Sequence, residues 1–242
     1  NLQNIRTFAV VSNDFSLKQF NIKQERAAMK VGTDGLLLGA WAAGGMRILD
    51  VGTGTGLIAL MMAQRFPGAS VVAIDIDEDA ASQAEENVML SPFSERVVVK
   101  CTSLQRFEDE KPYDSIVCNP PYFTHSLTSP DAKRTVARHS VALPFDDLFK
   151  NVCRLLTKDG VFSVIIPTDA LSKVQVSAVL CGFFLVRRCS ISTTPKKNES
   201  RLMLTFSLSP APLEEEREMI FIAPSTYSEW YVKLTRDFLI KY

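Results

Sequence analysis

The stretch RILDVGTGTGLIAL, Arg47 to Leu60, decides the fold. It begins with a short apolar run typical of a buried strand, and residues 57–66 then show the pattern of a helix. The turn between the two carries Gly52, Gly54 and Gly56. Glycine permits positive φ angles and lets a ligand approach the backbone closely. Because a plain strand-to-helix turn does not need three alternating glycines, the stretch predicts a turn that binds a ligand.

Strand and helix patterns continue to alternate after this turn. Four further strands are predicted by SVVAID, RVVVKC, YDSIVC and GVFSVIIP, with helices over residues 77–90, 145–157 and 168–181. Strands rich in Val and Ile at consecutive positions, alternating with helices, indicate a parallel sheet with helices on both faces. Two runs without a helix between them, FFLVRRCSIS and RLMLTFSLS, predict an antiparallel hairpin at one edge. The predicted fold is therefore α/β, with a mostly parallel, seven-stranded sheet.

The flanking segments predict additions to this core rather than separate units. We expect one domain over residues 1–242, made of a hairpin-like N-terminal extension (1–32), the core (33–209) and a C-terminal strand and helix (210–242). In the final helix, Trp230, Leu234 and Phe238 form an apolar stripe that is typical of a helix docked on a core.

The composition is that of an ordinary globular protein. With 46% hydrophobic and 22% charged residues, the chain has enough apolar material for a sizeable core. No apolar run reaches the ~18 residues of a membrane span, and the first residues show no secretory pattern. The five cysteines are odd in number and scattered, which favours reduced thiols and a cytoplasmic location over disulfides or a zinc site. Because only two histidines are present, no metal centre is expected.

The charges are segregated along the chain although the net charge is zero. Residues 75–87 contain six acidic residues and no basic one, whereas residues 183–205 contain five basic residues and one acidic residue. Residues 1–32 contain five basic residues and two acidic ones. This distribution is expected if one face meets a polyanion, although solvated faces also segregate by chance.

Two acidic residues beside the glycine turn indicate the chemistry of its ligand. The spacing G-x-G-x-G differs from the G-x-G-x-x-G of dinucleotide folds, and Asp50 would repel a pyrophosphate but attract an amino group. Asp75 ends the next strand, where a carboxylate can accept both hydroxyls of a ribose. An unphosphorylated ribose with a cationic tail describes S-adenosylmethionine, and a nucleotide is the alternative. Further cofactor candidates are Ile76, Ser103 and Leu104, the last two beside the adenine ring.

The segment Asn119-Pro120-Pro121-Tyr122 follows the strand YDSIVC, and Phe123 comes next. We expect that strand to neighbour the first one, so that both turns face one crevice. The Asn119 side-chain oxygen and the Pro120 carbonyl can accept the two protons of a ring-conjugated amine and direct its lone pair to a methyl donor, so Asn119 also faces the cofactor. Pro121 stiffens the turn, while Tyr122 and Phe123 offer faces for a base to stack on. The alternative is a strand end without a ligand.

Three stretches, FSLKQFNIKQERAAMKVGTDGLLLGAW, DVGTGTG and NPPYF, resemble the bacterial tRNA N6-adenine methyltransferases that modify adenine 37 of a valine tRNA. The resemblance covers nearly the whole chain. It implies a Rossmann-like class I methyltransferase fold, S-adenosylmethionine as cofactor and tRNA as substrate, with no metal, no membrane and no obligate protein partner.

The resemblance also implies roles for individual residues. Lys30, Thr33 and Asp34 would lie beside the methionine end of the cofactor, although Thr33 and Asp34 also suit the capped start of a helix. The stretch PKKNESRLML is similar to a basic loop of the family, which makes Lys196, Lys197 and Arg201 candidate phosphate contacts; Arg134 and Arg138 are the next candidates. Many methyltransferases carry an acidic residue at the position of Ser103, so its contact with adenine departs from the family pattern.

Other functions remain open at this point. The NPPY segment is shared with methyltransferases that act on DNA adenine, ribosomal guanine and protein glutamine, so by itself it indicates only methylation of an amine. The glutamine enzymes carry a helical N-terminal domain, for which the roughly 30 residues before GTDG are too few and too strand-like. A cofactor-binding protein without catalysis is the third alternative.

Overall fold

The computed structural model describes residues 14–26, 30–121 and 143–241. Its strands are β1 (Phe15–Ser16), β2 (Asn21–Ile22), β3 (Arg47–Val51), β4 (Ser70–Asp75), β5 (Val97–Cys101), β6 (Tyr113–Cys118), β7 (Leu156–Pro167), β8 (Phe184–Ser192), β9 (Glu199–Ser207), β10 (Glu214–Met219), β11 (Phe221–Ala223) and β12 (Thr226–Tyr227). Its helices are α1 (Thr33–Trp41), α2 (Leu57–Arg65), α3 (Glu78–Met89), α4 (Phe145–Leu155), α5 (Leu171–Leu180) and α6 (Glu229–Thr235), with a 3-10 turn over Thr168–Ala170.

The central sheet has eight strands in the order β10-β8-β9-β7-β6-β3-β4-β5. The five strands from β7 to β5 in that order are parallel to one another, as the sequence predicts. Strand β9 runs antiparallel to both β7 and β8, which confirms the predicted hairpin.

Helices cover both faces of the sheet because successive strand residues point to opposite sides. Ile48 and Leu49 of β3 are both fully buried, Ile48 in one apolar cluster and Leu49 in the other. The first cluster contains residues of α1, α2 and α6, and the second contains residues of α4 and α5. In the second, the ring of Phe149 meets Phe162 and Phe206 edge-on, with centroids 5.3 and 5.0 Å away. The doubly covered sheet was therefore predictable from the alternation of strand and helix patterns.

The prediction of seven strands is wrong by one, because the acidic segment EEEREM forms β10 and pairs parallel with β8. As a result β8 is an inner strand and the hairpin does not form the edge of the sheet. A C-terminal strand is predicted within residues 210–242, but its charged sequence gives no sign that it joins the sheet. Its pairing instead places carboxylates opposite arginines, with Glu216 bound to Arg187 at 2.9 Å and Glu215 to Arg188 at 3.5 Å.

The described N-terminal and C-terminal segments pack against each other on the α1 side of the sheet. Strands β1 and β2 form a short antiparallel hairpin, as predicted, and Lys18 N donates to the Phe238 carbonyl oxygen at 2.8 Å. Phe238 is buried, and Trp230 and Leu234 pack on the same cluster, which confirms the predicted docking stripe. The stretch FAVVS, also expected in the extension, lies outside the described residues.

Candidate active site

The site is built at the carboxyl end of the central strands. Strand β3 pairs with β4 on one side and β6 on the other, and Val51 lies opposite Cys118 in the register. The residues that follow these two, the glycine turn and Asn119, therefore leave the sheet side by side, as predicted. This is the place where ligands bind in open parallel sheets.

All three glycines of the turn have positive φ angles, 69° at Gly52, 57° at Gly54 and 82° at Gly56. A side chain at any of them would strain the backbone. A Cβ added to Gly52 or Gly54 would meet no atom within 4 Å, so the space beside these two residues is open. At Gly56 a Cβ would lie 3.4 Å from Ala84, which indicates a role in packing against α3. The turn thus offers an open backbone surface to a ligand.

Asp75 is fastened to this turn at the end of β4. Its Oδ2 accepts a hydrogen bond from Gly54 N at 2.8 Å, and its Oδ1 accepts one from Asp77 N at 3.0 Å. Burial raises the pKa of its carboxyl, and these backbone hydrogen bonds oppose the rise. Each carboxylate oxygen has a second lone pair. Asp75 can therefore hold the turn and still accept the hydroxyls of a ribose.

Asp50 is fully buried beneath the turn. Its Oδ2 accepts hydrogen bonds from Thr53 Oγ1 at 2.6 Å and from Ala59 N at 3.1 Å. Its Oδ1 has no partner among the described residues. Burial raises the pKa of Asp50 to about 7. A buried oxygen without a partner is costly, so this site fits a ligand that brings an N–H donor or a positive charge, such as the amino group of S-adenosylmethionine.

The three remaining cofactor candidates differ in exposure. Ile76, directly after Asp75, is 51% exposed, so its apolar side chain is free to contact a ring. Ser103 is half-buried, and its carbonyl oxygen accepts the backbone N–H of Phe107 at 2.9 Å. The side chain of Leu104 is buried in the second cluster, which leaves only its backbone to face a ligand.

Asn119 and the start of α1 meet at the same place. Asn119 is half-buried, Pro120 is buried and Pro121 is half-buried. A Cβ added to Gly35 would lie 3.3 Å from Leu57 Cδ2 and 3.9 Å from Asn119 Nδ2. Gly35 is not among the predicted site residues, although a glycine in the first turn of a helix is a signal that something approaches closely.

Several predicted site residues, Tyr122, Phe123, Arg134 and Arg138, lie outside the described residues. Lys30 and Thr33 are described and exposed at the start of α1. The alternative role of Thr33 and Asp34 as helix caps is wrong, because Gly32 occupies the cap position and no side chain caps the helix. Asp34 instead accepts a hydrogen bond on Oδ2 from Arg201 Nε at 2.7 Å.

The basic segment 183–205 is largely neutralised within the fold. Arg201 pairs with Asp34, and Arg187 and Arg188 pair with glutamates of β10. Lys196 and Lys197 are exposed in the turn between β8 and β9, and neither forms an ion pair with any described residue. Of the predicted phosphate contacts, Arg201 is therefore already engaged, and the two lysines remain available.

In residues 14–26, 30–121 and 143–241, His, Cys, Asp and Glu side chains form no group that could hold a metal ion. All five cysteines lie in the described part of the chain, and each is a free thiol. The described helices include none with the length and apolar character needed to cross a bilayer.

The chain matches a family model, the methyltransferase small domain, over residues 27–166. It is also similar to curated proteins named tRNA1(Val) (adenine(37)-N6)-methyltransferase. The protein from Phocaeicola vulgatus is 45% identical over 228 residues, which cover 93% of this chain and 97% of the relative. The protein from Bacteroides thetaiotaomicron is 43% identical over 229 residues, with the same coverage of 93% and 97%.

Solved structures with the same fold are more distant in sequence. A protein described as a predicted O-methyltransferase from Agrobacterium tumefaciens superposes with a TM-score of 0.67 at 20% identity, over 85% of this chain and 96% of the other. A ribosomal protein L11 methylase from Lactobacillus delbrueckii gives a TM-score of 0.54 at 21% identity, over 77% of this chain and 83% of the other. At these identities the similarity establishes the fold alone, a methyltransferase fold of the kind that the sequence predicts.

Proposed function

Because the chain belongs to the family of the tRNA1(Val) (adenine(37)-N6)-methyltransferases, we propose that it transfers a methyl group from S-adenosylmethionine to the N6 amine of an adenine in tRNA. The acceptor that we propose is adenine 37 in the anticodon loop of a valine tRNA. Because tRNA is the substrate, we place the enzyme in the cytoplasm.

The observation that carries this proposal is the position of Asn119 beside the glycine turn. Strands β3 and β6 end as neighbours, and Asn119 Nδ2 lies close to Gly35 at the start of α1, which also packs against Leu57 after the turn. An amide that can hold an amine is thus next to the surface that can hold the cofactor. Methyl transfer requires this proximity, since alignment of the two substrates is a large part of catalysis.

The residues of the chain act mainly by orientation and by their dipoles. Bound S-adenosylmethionine supplies an electrophilic methyl group on its sulfonium. The lone pair of an adenine N6 is delocalised into the ring, so the amine is a weak nucleophile. The Asn119 side-chain oxygen and the Pro120 carbonyl can accept its two N–H groups and orient the lone pair. Pro121 restricts the turn, and Asp50 and Asp75 hold the two ends of the cofactor.

The adenine must leave its stack to reach this crevice, which costs a few kcal/mol and least in a loop. We assign Tyr122 and Phe123 to stacking on the flipped base and Lys196 and Lys197 to phosphate contacts, with Arg138 as a further candidate. The two lysines support this assignment best, because they are exposed and their charge is not used within the described fold.

The test is methyl transfer from labelled S-adenosylmethionine to total tRNA, followed by mass spectrometry of the nucleosides and mapping of the labelled tRNA. We expect N6-methyladenosine at position 37 of a valine tRNA. Label in another RNA, in DNA or in protein glutamine, or no N6-methyladenosine at all, would contradict the proposal.

The Asn119→Ala variant tests the role of the amide in the same assay. Removal of one preorganised group at a reaction centre typically lowers the turnover number by about 100- to 1000-fold, while cofactor affinity should change little. Asn151→Ala, in α4, is the control because the described partners of the Asn151 side chain, Asp147 and Arg154, both belong to that helix. A cofactor-binding protein without catalysis would show no turnover in any form.

A further inference from the structure

Residues 23–26, which we call the N-terminal strap, cross α3 and are held by polar side chains of that helix. Arg26 N donates to Gln83 Oε1 at 3.2 Å, and Lys23 Nζ lies 2.7 Å from Glu86 Oε1. Arg26 also forms an ion pair with Glu86. The strap is therefore fixed by specific backbone and side-chain contacts.

Asn87 joins the strap to the cofactor turn. Its side chain is fully buried, its Oδ1 accepts from Lys23 N at 2.9 Å, and its Nδ2 donates to the Lys23 carbonyl oxygen at 2.8 Å. The same Nδ2 donates to the carbonyl oxygen of Thr55 at 2.8 Å. Thr55 lies between Gly54 and Gly56, so one amide holds the strap with one proton and the glycine turn with the other.

The strap in turn leads to the start of α1. Gln24 Oε1 accepts a hydrogen bond from Val31 N at 2.8 Å, which ties the strap to the residues just before the helix. Gly35, in the first turn of α1, lies against Asn119. A continuous set of contacts therefore runs from the cofactor turn through Asn87 and the strap to the residue proposed to hold the amine.

The hydrogen bonds of Asn87 account for a polar side chain at this buried position. Asn87 lies on the buried face of α3 with Ala80, Ala84 and Val88, where an apolar residue would pack at lower cost. A buried amide is retained only if its hydrogen bonds are satisfied, and both partners here are backbone groups outside secondary structure. Within residues 14–26, 30–121 and 143–241 no backbone donor reaches these two carbonyls, so without Asn87 their positions would be less well defined.

We propose that Asn87 is a positioning residue for S-adenosylmethionine. It fixes the Gly54–Gly56 turn and couples binding of the cofactor to docking of the N-terminal strap. The proposal rests on the cofactor of the proposed reaction but not on its acceptor, because cofactor binding can be measured by calorimetry without any tRNA.

The first experiment compares three variants by calorimetry and thermal unfolding. We expect Asn87→Ala to weaken cofactor binding by about tenfold, the size of one lost hydrogen bond. Gln83→Ala removes a strap contact without touching the turn, so its effect on affinity should be less than about threefold. Ser163→Ala breaks a buried hydrogen bond to Thr205 at 3.2 Å in the sheet, away from the site. It should lower the Tm without changing affinity.

Steady-state kinetics separates lost cofactor binding from general destabilisation, because KM and kcat are measured on the folded enzyme. In Asn87→Ala, the KM for the cofactor should rise while kcat at saturating cofactor stays within about threefold of the wild type, as expected for lost ground-state binding. If affinity in Asn87→Ala is unchanged, or if Ser163→Ala loses as much affinity for the same loss of Tm, the proposal is wrong.

Hydrogen exchange of the wild-type protein tests the coupling even if Asn87→Ala does not fold. Addition of S-adenosylmethionine should slow amide exchange at the strap, at Lys23 and Arg26, as well as at the glycine turn. Protection of the turn without protection of the strap would overturn the coupling.

Discussion

Arg201 donates a hydrogen bond from Nε to Oδ2 of Asp34 at 2.7 Å, and this contact joins strand β9 to the first turn of helix α1. The two side chains are 36% and 26% exposed, so the pair contributes only about 0–1 kcal/mol to stability. The main effect of the ion pair is on the position of helix α1. Asp34 precedes Gly35, which lies against Asn119, so the ion pair helps to hold the start of α1 at the site.

This relationship predicts that Arg201 and the two lysines act differently on tRNA binding. The double variant Lys196→Ala/Lys197→Ala should lower the slope of log affinity against log salt by about 1.5, because each lost phosphate contact removes about 0.7 to 0.9. Arg201→Gln should leave the slope unchanged and lower turnover. Filter binding of tRNA over a range of salt concentrations measures the slopes. Arg188→Gln, which also loses an ion pair in the sheet, is the control. A flatter slope in Arg201→Gln would show that the arginine contacts phosphate.

Gly54 and Gly182 offer a matched test of the cofactor surface. Both have positive φ angles, 57° and 79°, and a Cβ at either would meet nothing within 4 Å. Alanine at each position should therefore cost about 1–2 kcal/mol of stability from backbone strain. Only Gly54→Ala places a methyl group where the cofactor approaches, so only that variant should lose cofactor affinity beyond this strain. Urea unfolding and calorimetry measure the two quantities, and equal affinity in both variants contradicts the assignment of the turn.

Gly35→Ala tests the contact between α1 and Asn119. Alanine favours a helix by up to about 1 kcal/mol over glycine, and the added Cβ would lie 3.3 Å from the flexible end of Leu57, so stability should change by less than about 1 kcal/mol. Turnover should fall by about tenfold because the shift of Leu57, which directly follows the glycine turn, disturbs the alignment of the substrates.

Gly39→Ala, in the same helix, is the control for this variant. Its Cβ would lie 2.8 Å from Met61 Sδ, so it should destabilise the protein more than Gly35→Ala. Its turnover per folded molecule should nevertheless stay close to that of the wild type. If Gly39→Ala loses as much turnover as Gly35→Ala, the effect belongs to α1 as a whole.

The buried Asp50 predicts a pH dependence of stability in the absence of cofactor. Burial raises its pKa from 3.8 to about 7 in the folded protein. A group whose pKa is higher in the folded state than in the unfolded state stabilises the fold while it is protonated. This stabilisation is complete below the pKa of the unfolded state, and it is lost as the pH rises through the pKa of the folded state. Relative to Asp50→Asn, the free energy of unfolding of the wild type should therefore fall by a few kcal/mol between about pH 4 and pH 7. Urea titrations measure this difference, and a constant difference over the range would refute it.

The ionised form of Asp50 is also the form that favours a cationic ligand. Affinity for S-adenosylmethionine should therefore rise between about pH 5.5 and pH 7.5 in the wild type, because less free energy is needed to ionise the carboxyl. Asp50→Asn should lose most of this rise. Calorimetry over the same pH range measures it, and an equal rise in both proteins would assign it to another group.

The main strands, the helices and the position of the two turns at one edge of the sheet could be predicted from the sequence because they depend on local patterns. The apolar run before the glycines and the run before NPPY indicate neighbouring parallel strands, and Val51 does lie opposite Cys118. Asp50 and Asp75 follow from their distance to the glycines. The family was recognised from three stretches of sequence, and the comparisons confirm it.

The remaining features depend on contacts between distant segments. The partners of Arg187 and Arg188 come from β10, and the sequence predicts a C-terminal strand there but not its pairing with β8. Arg201 and Asp34 are separated by 167 positions. A signal for Asn87 was present, since a polar residue lies on the apolar face formed by Ala80, Ala84 and Val88, but its partners in the strap could not be located from the sequence.

Strand β10 has an electrostatic consequence for measurements on this protein. Its glutamates serve as built-in counterions for Arg187 and Arg188. They therefore reduce the electrostatic attraction between that edge of the sheet and any nucleic acid. A variant with Glu215→Gln and Glu216→Gln would free both arginines and bind RNA with less regard to sequence. Discrimination between tRNAs should thus be measured with the acidic strand in place.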